Sequence, residues 1–167
     1  MAKKNEEEKT NVMRVLDQKK IGYRHYCYIH AGGGKGPVTN GVEIAALLGE
    51  DVGRVFKTLV TVGKSGQHYV FMIPVAEELD LKKAAAAVSE KSIAMIPQKE
   101  LLPLTGYVHG GCSPIGMKKV FPTTLHESAQ LFDAIIFSAG KVGYQVGLPA
   151  RDLERIVRLK YADVIVK

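Results

Sequence analysis

The chain has 167 residues, of which 46% are hydrophobic and 24% charged, with 23 Lys and Arg against 17 Asp and Glu for a formal net charge of +6. That length holds one domain with a full core, and that composition excludes general disorder. The sequence lacks the run of about eighteen apolar residues that a membrane helix needs. Met1-Ala2-Lys3-Lys4 leads into Asn5-Glu6-Glu7-Glu8 rather than an apolar leader, so a cytoplasmic protein with no membrane partner is expected. Its two cysteines, Cys27 and Cys112, then read as free thiols rather than a bridge. The positive balance is compatible with a polyanionic partner, although the Lys/Arg pairs, such as Lys82-Lys83 and Lys118-Lys119, are dipeptides that solvated helix ends also explain.

Residues 1–9 are polar and read as a flexible N-terminal segment. Thr10 or Asn11 caps a helix carrying Val12, Val15 and Leu16 to about Lys20, and Tyr23 to Ile29 reads as a strand. The glycine-rich loop 32–37 follows, then a short helix, Val42 to Leu48, capped by Thr39 or Asn40 and stopped by Gly49. Val55 to Val62 and His68 to Val75 form a hairpin across Gly63-Lys64-Ser65-Gly66. Asp80 caps an alanine-rich helix, Leu81 to Val88. Ser92 to Ile96 reads as a buried strand, and Pro97 begins a helix through about Leu102. Short strands near Thr124 to His126, Ala134 to Phe137 and Tyr144 to Val146 come next, with a turn at Gly140-Lys141-Val142-Gly143. A last helix opens at Pro149 and Asp152 and runs through Arg158, and Val164-Ile165-Val166 forms a final strand. Hairpins mixed with crossovers point to an α/β domain with a mixed sheet.

Gly106-Tyr107-Val108-His109-Gly110-Gly111-Cys112-Ser113-Pro114-Ile115-Gly116 is poorly suited to regular structure yet lies between apolar segments. Its glycines allow sharp turns and close approach to a ligand, so backbone N–H groups can face a carbonyl oxygen or a phosphate; an ordinary tight loop is the competing reading. Lys57, inside the apolar strand Val55 to Val62, carries a desolvation cost unless it reaches solvent or meets an anion. Gly63-Lys64-Ser65 is no P-loop, because Thr58 stands where its first glycine belongs and a strand follows. Ser138-Ala139-Gly140-Lys141 has penicillin-recognising spacing but sits in a turn. His109 with Cys112, and His25 with Cys27 and His30, raise metal binding or a Cys–His nucleophile, but neither set is completed by further ligands, and no metal is expected.

Taken together, Phe56-Lys57-Thr58-Leu59, the 106–116 segment and Phe137-Ser138-Ala139-Gly140-Lys141 with Gly143 resemble the YbaK/EbsC family of bacterial aminoacyl-tRNA deacylases, related to the editing domain of prolyl-tRNA synthetase. The resemblance runs from about Thr10 to Val166, which makes residues 10–167 one editing domain. It implies a single α/β domain with a mixed, largely antiparallel, curved or barrel-like sheet flanked by helices. It also implies hydrolysis in trans of cysteine from mischarged Cys-tRNA for proline, with prolyl-tRNA synthetase as a partner and no cofactor. By position, Lys57 is the essential lysine and Gly110 gives backbone contact to the aminoacyl group. Gly111 and Ser113 shape that wall, and Tyr28, Thr58 and Ser138 complete the pocket. The substrate's own thiol serves as nucleophile in the family's proposed chemistry, which leaves Cys112 a loop residue. Asn40 stands near a pocket phenylalanine of many members, and Gln145 where some have an acidic or small residue, so this chain's amino-acid specificity stays open among cysteine, alanine and serine. A non-catalytic module binding tRNA or a synthetase is the remaining alternative.

Overall fold

The computed structural model describes residues 9–28 and 38–167. Helix α1 (Asn11–Gln18) is capped by Thr10, whose hydroxyl accepts from the Met13 amide at 3.2 Å, and buries Val12, Met13 and Leu16. Strand β1 (Arg24–Cys27) follows. Helix α2 (Gly41–Leu48) begins at Asn40, whose side chain accepts from the Glu43 amide at 3.1 Å, and ends at Gly49, which takes the left-handed conformation at φ 69°. The cap on α2 is therefore Asn40 and not Thr39. Strands β2 (Phe56–Gly63) and β3 (His68–Pro74) form the expected hairpin, and α3 (Leu81–Ala87) starts at Asp80, whose carboxylate accepts from the Lys82 and Lys83 amides.

The second half departs more from the sequence reading. Strand β4 (Ile93–Met95) buries Ile93 but exposes Ala94 and Met95, because it is an edge strand pairing only with β2. Pro97 precedes a 3-10 turn, Gln98–Glu100, rather than opening an α-helix, and α4 (Leu101–Thr105) follows. After β5 (Thr123–His126), β6 (Ile135–Ser138) and β7 (Tyr144–Leu148), helix α5 spans only Ala150–Leu153. The expected extension to Arg158 is instead a turn leading into β8 (Leu159–Ala162), which lies parallel to β5. The strand expected at 164–166 reduces to one bridge, Leu79 to Ile165. Backbone bonds from Asp80 N to Val164 O and Val166 N to Glu78 O, with the Lys83–Asp163 ion pair at 3.0 Å, pin this tail beside α3. The loop 32–37 and His30 lie outside the described residues.

The result is the expected mixed, largely antiparallel α/β domain, its strands divided between two sheets. One is ordered β1-β7-β6 and the other β4-β2-β3-β5-β8, with β3-β5 and β5-β8 the parallel pairs. A parallel bridge between Val55 and Ile136 joins them. Their facing sides share one core in which Phe56, Val60, Met72 and Leu125 meet Ile135, Phe137, Val146 and Leu148, closed by Val12 and Leu16 of α1. Ala84 and Ala85 of α3 cover the other side of β3 over Phe71 and Ile73. Among the described residues no helix is long and apolar enough to cross a membrane.

Candidate active site

A cavity of about 170 Å³ opens where the start of β2 passes the ends of β6 and β7. Its walls include Val55 and then Phe56 to Leu59 of β2, Ser138 and Gln145, Gly41 and Ile44 of α2, Leu101 of α4, Thr39, and His109, Gly110 and Cys112 of the glycine-rich loop. Lys57, Gly110, Thr58, Ser138 and Gln145 are thus brought together around one space. Tyr28, Gly111 and Ser113 are not among its walls. They stand behind it and hold it.

The strand wall carries open polar groups. Lys57 is half-buried, and burial pushes its ammonium below the usual lysine range, opposed by the charges of Glu78 and Glu77. Gln145 is 5% exposed and pairs in register with Ser138. Its Nε2 donates to the Tyr28 hydroxyl at 3.5 Å, and its Oε1 has no partner. Thr58 Oγ1 is also buried without a partner. Buried side-chain polar atoms are seldom left so, and of the three found among the described residues, two line this cavity, the third being Ser128 Oγ. A site built to meet a polar ligand shows this pattern. Ser138 differs, since its hydroxyl accepts from the Gly140 amide at 3.1 Å and so braces the turn.

The loop wall is held by its own bonds. Gly106 ends α4 at φ 89°, and Gly110 sits at φ 88°, a conformation that favours glycine. The Gly111 amide donates to Val108 O at 2.9 Å and so is closed to a ligand. A Cβ on Gly111 would stand 2.9 Å from the backbone nitrogen of Val142, so this glycine is needed for the loop to pack on the 140–143 turn. Ser113 is fully buried and its hydroxyl accepts from the Ile115 amide at 3.4 Å. Tyr107 is the hub: its hydroxyl donates to Ile115 O at 2.7 Å and accepts from Asn11 Nδ2 of α1 at 3.0 Å. The amides of Gly110 and Cys112 have no partner among the described residues and remain the loop's candidate donors.

Several wall residues escaped the sequence reading, Thr39, Ile44, Val75 and Leu101 among them. His109 and Cys112, weighed only as metal ligands or a nucleophile pair, both line the cavity. Burial pushes the Cys112 thiol up to about 12, so it stays protonated near neutrality and offers an apolar surface instead of a thiolate. Asn40, in contrast, spends its side chain on the α2 cap and leaves the wall to Thr39 and Gly41. No three His, Cys, Asp or Glu side chains converge among the described residues.

A lysine, two unpartnered side-chain oxygens and two open amides around one small space match the motif set noted in the sequence. The model of the aminoacyl-tRNA editing domain matches residues 36–156, which include every wall of the cavity. The chain belongs to the aminoacyl-tRNA editing domain family. A curated relative from Enterococcus faecalis, provisionally named the Cys-tRNA(Pro)/Cys-tRNA(Cys) deacylase EbsC, is 44% identical over all of this chain and 99% of its own. The editing-domain fold is shared with a solved structure described as a trans-editing enzyme for prolyl-tRNA synthetase, also a provisional name, at TM-score 0.80 and 24% identity over 93% of this chain and 97% of that one. A hypothetical protein, APE2540, matches at TM-score 0.80 and 20% identity over 94% of this chain and 100% of its own.

Proposed function

We propose that this editing-domain protein is a deacylase that clears cysteine in trans from mischarged Cys-tRNA for proline. The observation that carries the proposal is the pairing of Lys57 with unpartnered Thr58 and Gln145 oxygens opposite Gly110 in one cavity. At about 170 Å³ the space suits a small aminoacyl group, given that a cavity of roughly 150 Å³ holds a benzene. The 44% identity to the relative with that name supports the substrate.

Lys57 and Gly110 are assigned the catalytic roles: the lysine draws on the ester and its terminal ribose, and the open Gly110 amide, with that of Cys112, meets the developing oxyanion. Thr58, Ser138 and Gln145 bind the aminoacyl group, while Tyr28, Gly111 and Ser113 position them from behind. No protein nucleophile is required. The substrate thiol attacks its own carbonyl, a carbon–sulfur bond forms, the ester carbon–oxygen bond breaks, and the thiol proton passes to the departing ribose oxygen, leaving a β-thiolactone and free tRNA. The protein folds the ester into attack geometry and stabilises its charge. Because the small cavity encloses only the aminoacyl end, selection among tRNAs is assigned to prolyl-tRNA synthetase as a delivering partner. The net charge of +6 favours binding of the polyanionic substrate.

Deacylation of Cys-, Ala- and Ser-charged tRNA for proline, each with and without the synthetase, tests this reading. Release of tRNA from the cysteine ester at least tenfold faster than from the others is expected. Preference for alanine or serine would assign a sibling editing activity, and binding without hydrolysis of any ester would make the protein a tRNA-binding module.

A further inference from the structure

Among the described residues, the cavity walls include no aspartate or glutamate. That is unexpected for a pocket meant to hold an aminoacyl ester, whose α-amine is ordinarily a cation. Among the described residues, the titratable groups on the walls are Lys57 from β2 and His109 and the protonated Cys112 from the loop, while the Tyr28 phenol, just after β1, stands behind Gln145 and off the wall. Lys141, in the turn next to Gly111, lies over the Tyr144 ring. Helices α2 and α4 contribute only Ile44 and Leu101 besides the backbone of Gly41. The carboxylates that act on Lys57, Glu77 and Glu78, follow β3 and are not wall residues. An ammonium entering this space meets the Lys57 cation and, among the described wall residues, no carboxylate, an arrangement that low dielectric makes unfavourable.

The walls still offer unpartnered polar atoms. Gln145 Oε1 is buried and unpartnered, and its amide is oriented by the bond from Nε2 to Tyr28. Thr58 Oγ1, likewise unpartnered, can donate. A free-base amine has two hydrogens to give and one lone pair to fill, so it complements these two groups without needing a negative charge. The α-amino group titrates near pH 7.7–8.0 in ordinary peptides, which makes the free base accessible at neutral pH. We propose that the cavity takes the aminoacyl ester with its α-amine as the free base, donating to Gln145 Oε1 and accepting from Thr58 Oγ1. The proton lost on binding goes to solvent. This inference rests on the aminoacyl-ester reading of the site.

The test uses an uncleavable probe, 3′-deoxy-3′-cysteinylaminoadenosine, labelled with ¹⁵N at its α-amine and titrated by NMR free and in complex with the full chain. In the complex the amine should titrate at least about one pH unit lower than in the free probe, a tenfold preference for the free base. Gln145→Glu, which puts a carboxylate at the same place, should bring that value back to the free probe's or above it. An amine that keeps or raises its pKa in the wild-type complex, or a probe that does not bind, overturns the inference. The measurement does not depend on turnover. A lowered amine pKa in a protein that cleaves no ester would sink the deacylase reading and sustain this one; efficient deacylation with an unshifted or raised amine pKa would do the reverse.

Discussion

The two walls of the cavity solve different problems. On the β2, β6 and β7 side, a hydrogen-bonded sheet fixes the backbone, which lets Thr58 and Gln145 leave side-chain oxygens unpaired and holds Lys57 half-buried beside them without collapse. On the glycine-rich side, no sheet supports the chain, and Tyr107, Ser113 and the Gly111 amide are consumed in holding the loop's shape. Rigid elements can display unsatisfied groups, whereas a loop must first satisfy itself and can present only what is left over, here the Gly110 and Cys112 amides.

This contrast can be broken at either wall. Lys57→Ala removes a displayed group and should lower kcat/KM for Cys-tRNA roughly 100- to 1,000-fold, the scale of losing one charge-stabilising donor, with circular dichroism and melting temperature unchanged. A comparable loss of stability would place the lysine among the structural groups. Gly111→Ala strikes the other wall: a Cβ 2.9 Å from Val142 N should cost about 1–3 kcal/mol in denaturant unfolding and reduce activity with it. Cys112→Ser should leave turnover within a few-fold, because the thiol is protonated; an inactive, well-folded variant would instead make the protein thiol the nucleophile. The same residue gives a pH signature. Its folded value of about 12 exceeds the unfolded one, so the folded state keeps a proton that the unfolded chain loses above about pH 9. This thiol should therefore contribute a fall in stability of up to about 1.4 kcal/mol per pH unit above that point, and Cys112→Ser should remove that contribution between about pH 9 and 10, before the tyrosines titrate, in paired urea titrations. Far from both walls, Asp80→Ala should cost about 1 kcal/mol through the lost α3 cap and leave kcat/KM untouched.

Local chemistry made much of this legible. Asp80 before four alanines, Gly49 after Leu48 and the Gly63 to Gly66 turn act within a few residues, and each element they bound is present. Strand β8 was missed because Leu159 to Ala162 is an edge strand whose partner, β5, lies far earlier in the chain, and nothing between Leu153 and Arg158 marks the early end of α5. Lys57 and Gly110 could be named from their motifs. That Thr58 and Gln145 keep unpaired oxygens could not, since a missing partner is a property of what surrounds a side chain; nor could the spending of Asn40 on a helix cap in place of a pocket wall.

Tyr107 takes its hydrogen bond from α1, and β7 takes its strand partner from β1, yet both donors lie before residue 36, where the match to the family model starts. A polypeptide trimmed to that matched stretch would keep every residue that faces the cavity and lose the props behind it: Asn11 on Tyr107, Tyr28 on Gln145, and Val12 against the Gly140 turn. The shortest chain able to form this pocket is therefore longer than the stretch by which the family is recognised.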